Sequence, residues 1–420
     1  MSVVRSPVRS VVRSPVRGVF GGSASLIDDA RAYLAGIAPY HWFDFVNDRC
    51  LYASNDVGGV SGATGYSFSR ASTGYYTNAD GTLTSFASGA LRRGNRGVLI
   101  EGARTNLLLR STFAGGGSVP TGWTQPSATG TSTPSTSTLN ADVVAYTHVA
   151  TAQRPYFNQD IALASNTTYT VSVYIEAVTG TVALSDFMGF VSLPTGATAT
   201  ADSLGNLAAG QRRTIVVSGT YTGDTRSFRV GLGILAVATG TVRFSMPQIE
   251  AASFPSSYIP TTTASATRAA DVLTCTAGVS YPIRMFAEFE RAVDTGGNET
   301  LIALDDTTTN NRTFLRVAST DVAQIDTVSG GAAQAAPVTV GALAINTVHK
   351  MAGRVSTNSV QICANGTLGT EDTSATNPAD GTVLRFGLTS AAANPPFGYI
   401  RRAAVIQGAG VDADLTAMTS

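Results

Sequence analysis

Two glutamates, Glu288 and Glu290, come closest to the residue pattern of a hydrolytic pair. They stand two positions apart among alternating apolar residues, so both fall on one face of a predicted strand, about 7 Å apart. Glycoside hydrolysis uses two carboxyl groups separated by roughly 5–9.5 Å. The spacing suits that chemistry, but a solvated strand face explains the same pattern more simply. We therefore expect no catalysis at this pair.

Other catalytic patterns are missing from the sequence. It contains no G-x-S-x-G elbow and no H-E-x-x-H motif, and its 3 histidines are too scattered to indicate a catalytic triad. The 3 cysteines form no C-x-x-C pair, so we expect buried free thiols at Cys50, Cys275 and Cys363. The sequence predicts that the protein is not an enzyme.

One loop, residues 305–311, gathers many side-chain oxygens in the order Asp-Asp-Thr-Thr-Thr-Asn-Asn. Oxygen ligands of this kind suit a hard cation. Asp and Asn are also common in turns, because their side chains accept hydrogen bonds from nearby backbone amides. We expect no cofactor, and calcium near Asp305 and Asp306 is the alternative that the residue types leave open.

The N-terminal segment, residues 3–18, is one octapeptide written twice, Val-Val-Arg-Ser-Pro-Val-Arg-Ser and Val-Val-Arg-Ser-Pro-Val-Arg-Gly. Each proline fixes φ and removes a backbone donor, so the pattern predicts an extended arm rather than a helix. Valine pairs would fill apolar grooves of a partner, and arginines would meet an acidic surface. The residues expected to make this attachment are Val4, Arg5, Pro7, Arg9, Val12, Arg13, Pro15 and Arg17.

Other interpretations of this arm are weaker. Its arginines could neutralise phosphates, but the regular valine pairs favour a shaped protein groove, so we expect no nucleic acid partner. A targeting peptide would need an apolar core or an amphipathic helix, and Arg and Pro interrupt both. Simple disorder of the arm remains an alternative. The sequence contains no run of about 18 apolar residues, so we expect no membrane insertion.

The composition is unusually poor in charge. Charged residues make up 13% of the 420 residues and the formal net charge is zero, against an ordinary charged share of roughly 25%. Much of the surface could be covered by partner subunits. Equally, the surface could be soluble and rich in Thr and Ser, and the composition does not decide between the two.

The elements that must position these residues are mainly strands. Ser25 and Asp28 fit a capping box before a short helix whose apolar stripe, residues 26–37, needs either the following domain or copies of itself as a partner. From residue 143 onward apolar residues alternate, as in Tyr169, Val171, Val173 and Ile175, which predicts a half-buried strand.

A second set of strands begins near residue 272, and Asn365-Gly366 predicts a hairpin turn within it. Asn78–Gly81 predicts another turn, between short strands. Strands at this spacing, with glycine-rich turns and no helices between them, indicate β-sandwiches. The predicted fold class is mainly all-β, with two β-sandwiches, jelly-roll and concanavalin-like, after an extended arm and a helix.

Several segments are similar to virion fibre or spike proteins of tailed bacteriophages. They are Ser67–Thr73 with Asn78–Gly81, then residues 97–109, and then Pro247–Pro260 with Thr267–Asp271. In such proteins the last stretch closes a jelly roll like a carbohydrate-binding module. The C-terminal part resembles a laminin-G or concanavalin-like lectin sandwich through residues 349–355, 360–366, 397–401 and 414–418.

The resemblance implies a homotrimeric virion appendage, a tail fibre or a head spike, that is assembled in the host cytoplasm and displayed on the virion surface. Its implied partners are capsid, portal-vertex or tail proteins and host cell-surface polysaccharide. A polysaccharide-degrading enzyme, or depolymerase, built on the same modules is the alternative. Aromatic rings stack on the apolar faces of sugars, and the candidates for glycan binding are Trp123, Tyr146, Tyr156 and Tyr174.

Together these patterns divide the chain into five parts. They are an attachment arm (1–22), a helix (23–39), a small mixed connector domain (40–112), a jelly-roll carbohydrate-binding-like sandwich (113–268) and a laminin-G or concanavalin-like sandwich (269–420).

Overall fold

The computed structural model of the protein describes residues 25–125, 130–334, 338–391 and 395–420. Its helices are α1 (Leu26–Tyr33) and α2 (Asp412–Thr419), with short 3-10 turns at Val60–Gly62 and Leu184–Asp186. The strands before residue 110 are β1 (His41–Asp44), β2 (Arg49–Tyr52), β3 (Asn55–Asp56), β4 (Ser67–Ser69), β5 (Gly74–Thr77), β6 (Leu83–Phe86), β7 (Arg93–Gly94), β8 (Gly97–Ile100) and β9 (Arg104–Asn106).

The strands of the middle region are β10 (Thr131–Thr136), β11 (Val144–Gln153), β12 (Tyr156–Leu163), β13 (Tyr169–Thr179), β14 (Met188–Phe190), β15 (Ala197–Ala201), β16 (Gln211–Gly219), β17 (Asp224–Gly231), β18 (Ala238–Glu250) and β19 (Ala266–Arg268). Those of the C-terminal region are β20 (Val272–Val279), β21 (Ile283–Arg291), β22 (Glu299–Asp305), β23 (Arg312–Val317), β24 (Val322–Ser329), β25 (Ala332–Ala333), β26 (Val338–Ala342), β27 (Val348–Ser356), β28 (Ser359–Ala364), β29 (Thr367–Leu368), β30 (Gly381–Phe386) and β31 (Gly398–Gln407).

The middle sandwich consists of two antiparallel sheets. One sheet has the order β10-β11-β18-β13-β16-β15, and the other has the order β12-β17-β14. Tyr169, Val171, Val173 and Ile175 of β13 all lie in the core between the sheets, as their alternation predicts. The opposite face of β13 is also buried, however, so the prediction of a half-buried strand is wrong. On that face Tyr174 packs in one cluster with Tyr75 and Leu83 of the β5–β6 hairpin and with Tyr258.

The C-terminal sandwich pairs an 8-stranded sheet with a 10-stranded sheet. The 8-stranded sheet follows β25-β24-β23-β22-β30-β20-β4 and also includes β26, which pairs with β24. The 10-stranded sheet follows β29-β28-β27-β21-β31-β1-β2-β3 and also includes β7 and β8. Side chains from both sheets, among them Phe43, Ile302 and Met285, form one core. The predicted division into two β-sandwiches is confirmed.

The region 40–112 is not a separate connector domain, which corrects the predicted division. Strands β1 and β8 both pair with β31, and β4 pairs with β20, so most of this region is part of the C-terminal sandwich. The reason is its aromatic segment, since Trp42, Phe43 and Phe45 are all buried. Strands of four residues cannot bury such rings alone.

Helix α1 begins with the predicted capping box, in which Ser25 Oγ accepts a hydrogen bond from the Asp28 amide and Asp28 Oδ2 accepts from the Ser25 amide. Its apolar stripe packs on the outer face of the 10-stranded sheet, where Leu26 and Ala30 lie in one cluster with Phe286. The stripe is therefore covered by its own chain. It gives no support to a trimer.

Two predicted turns are confirmed. Asn365 and Gly366 both adopt left-handed conformations, with φ of 47° and 78°, in the two-residue link between β28 and β29. The segment Asn78–Gly81 turns between β5 and β6, where the Gly81 amide donates to the Asn78 carbonyl. The three cysteines are buried and free, as predicted. Within the described ranges, no helix is long and apolar enough to cross a membrane.

Candidate functional site

A buried cluster of charges lies where the two sandwiches meet. Asp271 accepts from Arg70 Nη1 at 3.1 Å and from Arg92, and Arg92 Nη1 also donates to Glu101 at 2.6 Å. Arg268 Nη1 lies 3.3 Å from the same Glu101 carboxylate. Burial opposes ionisation of Glu101, but the neighbouring Arg268 and Arg92 outweigh that cost and lower its pKa to about 2.

The cluster joins distant parts of the chain. Arg92 and Glu101 come from the strands around β8, whereas Asp271 precedes the first long strand of the C-terminal sandwich. Ser257, from the segment after the middle sandwich, donates to Glu101 through its amide at 2.8 Å and its hydroxyl at 2.6 Å. The fibre-like sequence segments thus supply residues that hold the two sandwiches together, which is a structural role.

Beside this cluster a cleft of about 380 Å³ opens between the two sandwiches. This volume falls in the range of about 300–1,000 Å³ that is typical of ligand sites. The cleft is lined by side chains from both sandwiches and from the β5–β6 turn. Its lining includes Thr77, Asp80, Arg96, Leu99, Glu101, Leu139, Tyr174, Arg212, Thr214, Ser256, Ser257, Val293, Asn346, Phe397 and Tyr399.

One wall of the cleft is built around Arg96, in the turn between β7 and β8. Its guanidinium lies 3.8 Å from the ring centroid of Tyr399 and donates to both carboxylate oxygens of Glu290, at 3.2 and 2.5 Å. Tyr399 in turn donates to the carbonyl of Thr77 at 3.2 Å. Burial raises the pKa of Tyr399, so its hydroxyl stays protonated and can donate.

The opposite wall comes from the middle sandwich. Tyr174 on β13 lies directly opposite Arg212 on β16, and the Arg212 guanidinium sits 5.2 Å from the centre of the tyrosine ring. Arg212 donates to the carbonyl of Ser256 at 2.6 Å and to Ser172 Oγ at 2.8 Å. Paired strands fix both walls, so their polar groups are held in place before any ligand arrives.

Three of the four aromatic residues predicted to stack on sugars are buried and do not line the cleft, which corrects the prediction for them. Trp123, Tyr146 and Tyr156 are at most 5% exposed. Trp123 and Tyr146 belong to the core of the middle sandwich, and the ring of Tyr156 is covered by Arg229 at 4.6 Å. Only Tyr174 reaches the cleft, with 7% of its surface exposed. Alternating strands bury their large rings because the rings supply most of the apolar area.

The two glutamates considered for hydrolysis form ion pairs with different arginines. Glu288 lies 2.5 Å from Arg402 Nη1 and 3.7 Å from Arg401 Nε, whereas Glu290 pairs with Arg96. Only Glu290 approaches the cleft, through Arg96. The arrangement therefore places two ion pairs here instead of two carboxyl groups facing one substrate.

The two carboxylates of the loop considered for calcium accept hydrogen bonds from side chains of the protein. Asp305 accepts from Arg385 Nε at 2.6 Å, and Asp306 accepts from Thr308 and from Asn311 Nδ2. These hydrogen bonds, from Thr308 first, lower the pKa of Asp306. Within the described part of the chain, no group of three or more His, Cys, Asp or Glu side chains is placed to hold a metal ion.

The attachment arm, residues 1–22, lies outside the described residues. The sequence did not single out the most informative cleft residues, Arg96 and Arg212. The position of Arg212 beside Tyr174 depends on the pairing of β13 with β16. The alternation within each strand does not predict that pairing. Tyr399 is buried in the C-terminal sandwich and also lines the cleft.

No family model matches the chain, and no curated protein matches it. Several solved structures resemble parts of it. One is the CBM40 module of the Ruminococcus gnavus IT-sialidase bound to α2,3-sialyllactose, at 14% identity and a TM-score of 0.30, covering 34% of this chain and 85% of that chain. Another is the carbohydrate-binding module CBM66 from Bacillus subtilis, at 11% identity and a TM-score of 0.23, covering 33% and 77%.

Domains LG4-5 of the mouse laminin α1 chain also match, at 14% identity and a TM-score of 0.21, covering 59% of this chain and 84% of that chain. TM-scores of this size mark a remote likeness, so the ligands of these neighbours are not carried over to this chain. The class that the fold itself defines is a protein of two antiparallel β-sandwiches joined by a buried charge cluster.

Proposed function

We propose that this protein binds a cell-surface glycan without cleaving it, and that the cleft between the sandwiches is the binding site. The observation that carries the proposal is the cleft itself, with a volume of about 380 Å³ and walls made of two tyrosines, two arginines and several hydroxyl and amide groups. Sugars present apolar faces and rings of hydroxyl groups. Walls that combine aromatic edges with fixed hydrogen-bond donors and acceptors suit both features.

Filling the cleft should weaken glycan binding strongly. Val293 lines the cleft and is only partly buried, so Val293→Trp adds an indole where the glycan would lie. We expect affinity for a glycan selected on an array to fall about tenfold or more. Isothermal titration calorimetry measures the change, and the melting temperature checks that the variant is folded.

Leu235→Trp is the matched control, because Leu235 is 62% exposed and does not line the cleft. The same side chain is added there, and the affinity should stay at the wild-type value. Equal affinity of Val293→Trp and wild type, with both folded, would remove the cleft from consideration as the binding site.

Binding without cleavage is proposed because both glutamates of the hydrolytic alternative are occupied by arginines. A depolymerase would release new reducing ends from the bound polysaccharide, and Glu288→Gln or Glu290→Gln would stop the release. Absence of new reducing ends with the wild-type protein is the expected result. Their appearance would favour the depolymerase.

We further propose that the protein is a virion appendage, a tail fibre or a head spike, which is held to a phage-like particle by residues 1–22. The support is the doubled octapeptide and the fibre-like segments of the sequence. Deleting residues 1–20 should abolish incorporation into particles, as measured by immunoblotting of purified particles. Helix α1 and both sandwiches lie after residue 24, so circular dichroism and glycan binding should be unchanged. Incorporation of the truncated chain would contradict the attachment role.

A further inference from the structure

Arg212 is held in a fixed orientation by neutral groups only. Its two hydrogen-bond acceptors are the Ser256 carbonyl and the Ser172 hydroxyl, at 2.6 and 2.8 Å. Its guanidinium carbon also lies 5.2 Å from the centre of the Tyr174 ring. Neither acceptor carries a charge. Because a guanidinium has further N–H groups on both terminal nitrogens, donors remain on the side chain that lines the cleft.

The other charged side chains that line the cleft are already engaged in ion pairs or hydrogen bonds within the protein. Arg96 is paired with Glu290, and Glu101 is paired with Arg92 and Arg268. Asp80 is exposed at the rim, where its carboxylate accepts two hydrogen bonds from Thr82 within the turn.

Across the described residues, Arg212 has no carboxylate within 4.0 Å of its nitrogens. It is partly buried and lines the same cleft as the paired charges. A guanidinium without an anionic partner can pair with a carboxylate that a ligand supplies, because its planar N–H groups match a carboxylate with two parallel hydrogen bonds.

We propose that the cleft selects acidic glycans, whose uronate or sialate carboxylate pairs with Arg212. This inference rests on the proposed function and adds the chemical class of the ligand. The sugar ring that carries the carboxylate would lie between the two tyrosine–arginine walls. The ion pair would form in a partly enclosed site, where it is screened less by salt than a surface pair.

The test is a glycan array on which each acidic oligosaccharide is printed beside its carboxyl-reduced form. In the reduced form a primary alcohol replaces the carboxylate and the rest of the sugar is unchanged. We expect the acidic form to bind roughly 10- to 100-fold more tightly, which is the range for hydrogen bonds to a charged group. This comparison alters only the ligand, so it does not depend on whether any variant folds.

Arg212→Gln provides the complementary measurement by titration calorimetry. We expect this variant to lose the preference, so that its affinities for the acidic and the reduced forms differ by less than about threefold. Arg212→Lys keeps the charge without the planar fork and should recover only part of the preference. Melting temperatures of both variants show whether the contacts to Ser256 and Ser172 were needed for folding.

Three outcomes would overturn the inference, and they are distinguishable. Equal binding of the acidic and reduced forms leaves glycan binding intact and removes the acidic selectivity. A preference for the acidic form that survives in folded Arg212→Gln assigns the selectivity to another residue. Absence of binding to every printed glycan removes the proposed function together with this inference.

Discussion

Replacing Asp271 with asparagine is expected to lower the free energy of unfolding by about 3–5 kcal/mol. Asp271 is 2% exposed and balances Arg70 and Arg92, while also accepting from the Glu101 amide at 3.0 Å. Asparagine has nearly the same shape, so the loss would come from charge. Three buried arginines would then share the single carboxylate of Glu101.

Urea unfolding measured by tryptophan fluorescence gives the free energy of unfolding. Asp224→Asn is the matched control, since Asp224 pairs with Arg226 on the surface and its side chain is 54% exposed. An exposed ion pair contributes about 0–1 kcal/mol, so this control should unfold close to the wild type. Equal losses in the two variants would show that the buried cluster is not what holds the sandwiches together.

A second large effect should appear as pH dependence of stability. His148 is fully buried in the middle sandwich, with its ring 4.6 Å from the centre of Phe157 and 4.8 Å from that of Phe244. Burial lowers the pKa of His148 to about 3, and a backbone contact with Pro155 opposes the shift only in part. The folded protein therefore keeps this imidazole neutral.

The direction of the effect follows from proton binding. As pH falls below about 6.5, the unfolded chain takes up a proton on His148 while the folded chain does not, so stability is lost from there down to about pH 3. The loss amounts to about 4–5 kcal/mol over this window, at roughly 1.36 kcal/mol for each pKa unit. Burial also lowers the pKa of His41, which adds a loss of the same sign.

The measurement is the free energy of unfolding between pH 7.5 and pH 5. Ordinary carboxylates have barely begun to take up protons at the lower end of this range. His148→Phe removes the titrating group and keeps an aromatic ring between Phe157 and Phe244. Its stability should fall less steeply with acid than that of the wild type, with the remainder due to His41. Parallel curves for the two proteins would rule out His148 as the source.

The sequence alone predicted local features well. The Ser25–Asp28 capping box, the turn at Asn365-Gly366 and the core face of β13 all follow from residues close together in the chain. Such features depend on backbone preference and on period-two alternation, which act over a few residues. The division into two β-sandwiches follows from many such strands in succession.

Exposure of the aromatic rings could not be predicted in the same way. Trp123, Tyr146 and Tyr156 stand at loop or alternating positions, and the sequence does not reveal what packs over them. Tyr174 alternates with the core residues Val173 and Ile175 of β13, yet its own face of the strand is covered by Tyr258 and by the guanidinium of Arg212. Whether a strand is buried on one face or on both depends on which distant segments pack against it. Local alternation of residue types does not encode those contacts.

What the sequence by itself determined is the class of fold and the elements that build it, because hydrophobic periodicity and turn chemistry are local. Only the tertiary structure decided that most of residues 40–112 belong to the C-terminal sandwich, and that Arg92, Glu101 and Asp271 meet at 0–4% exposure. It also decided that Arg96 and Arg212 face one cleft. Arg92 and Asp271 are 179 positions apart in the chain, so contacts of this kind form only when long-range strand pairing brings distant segments together.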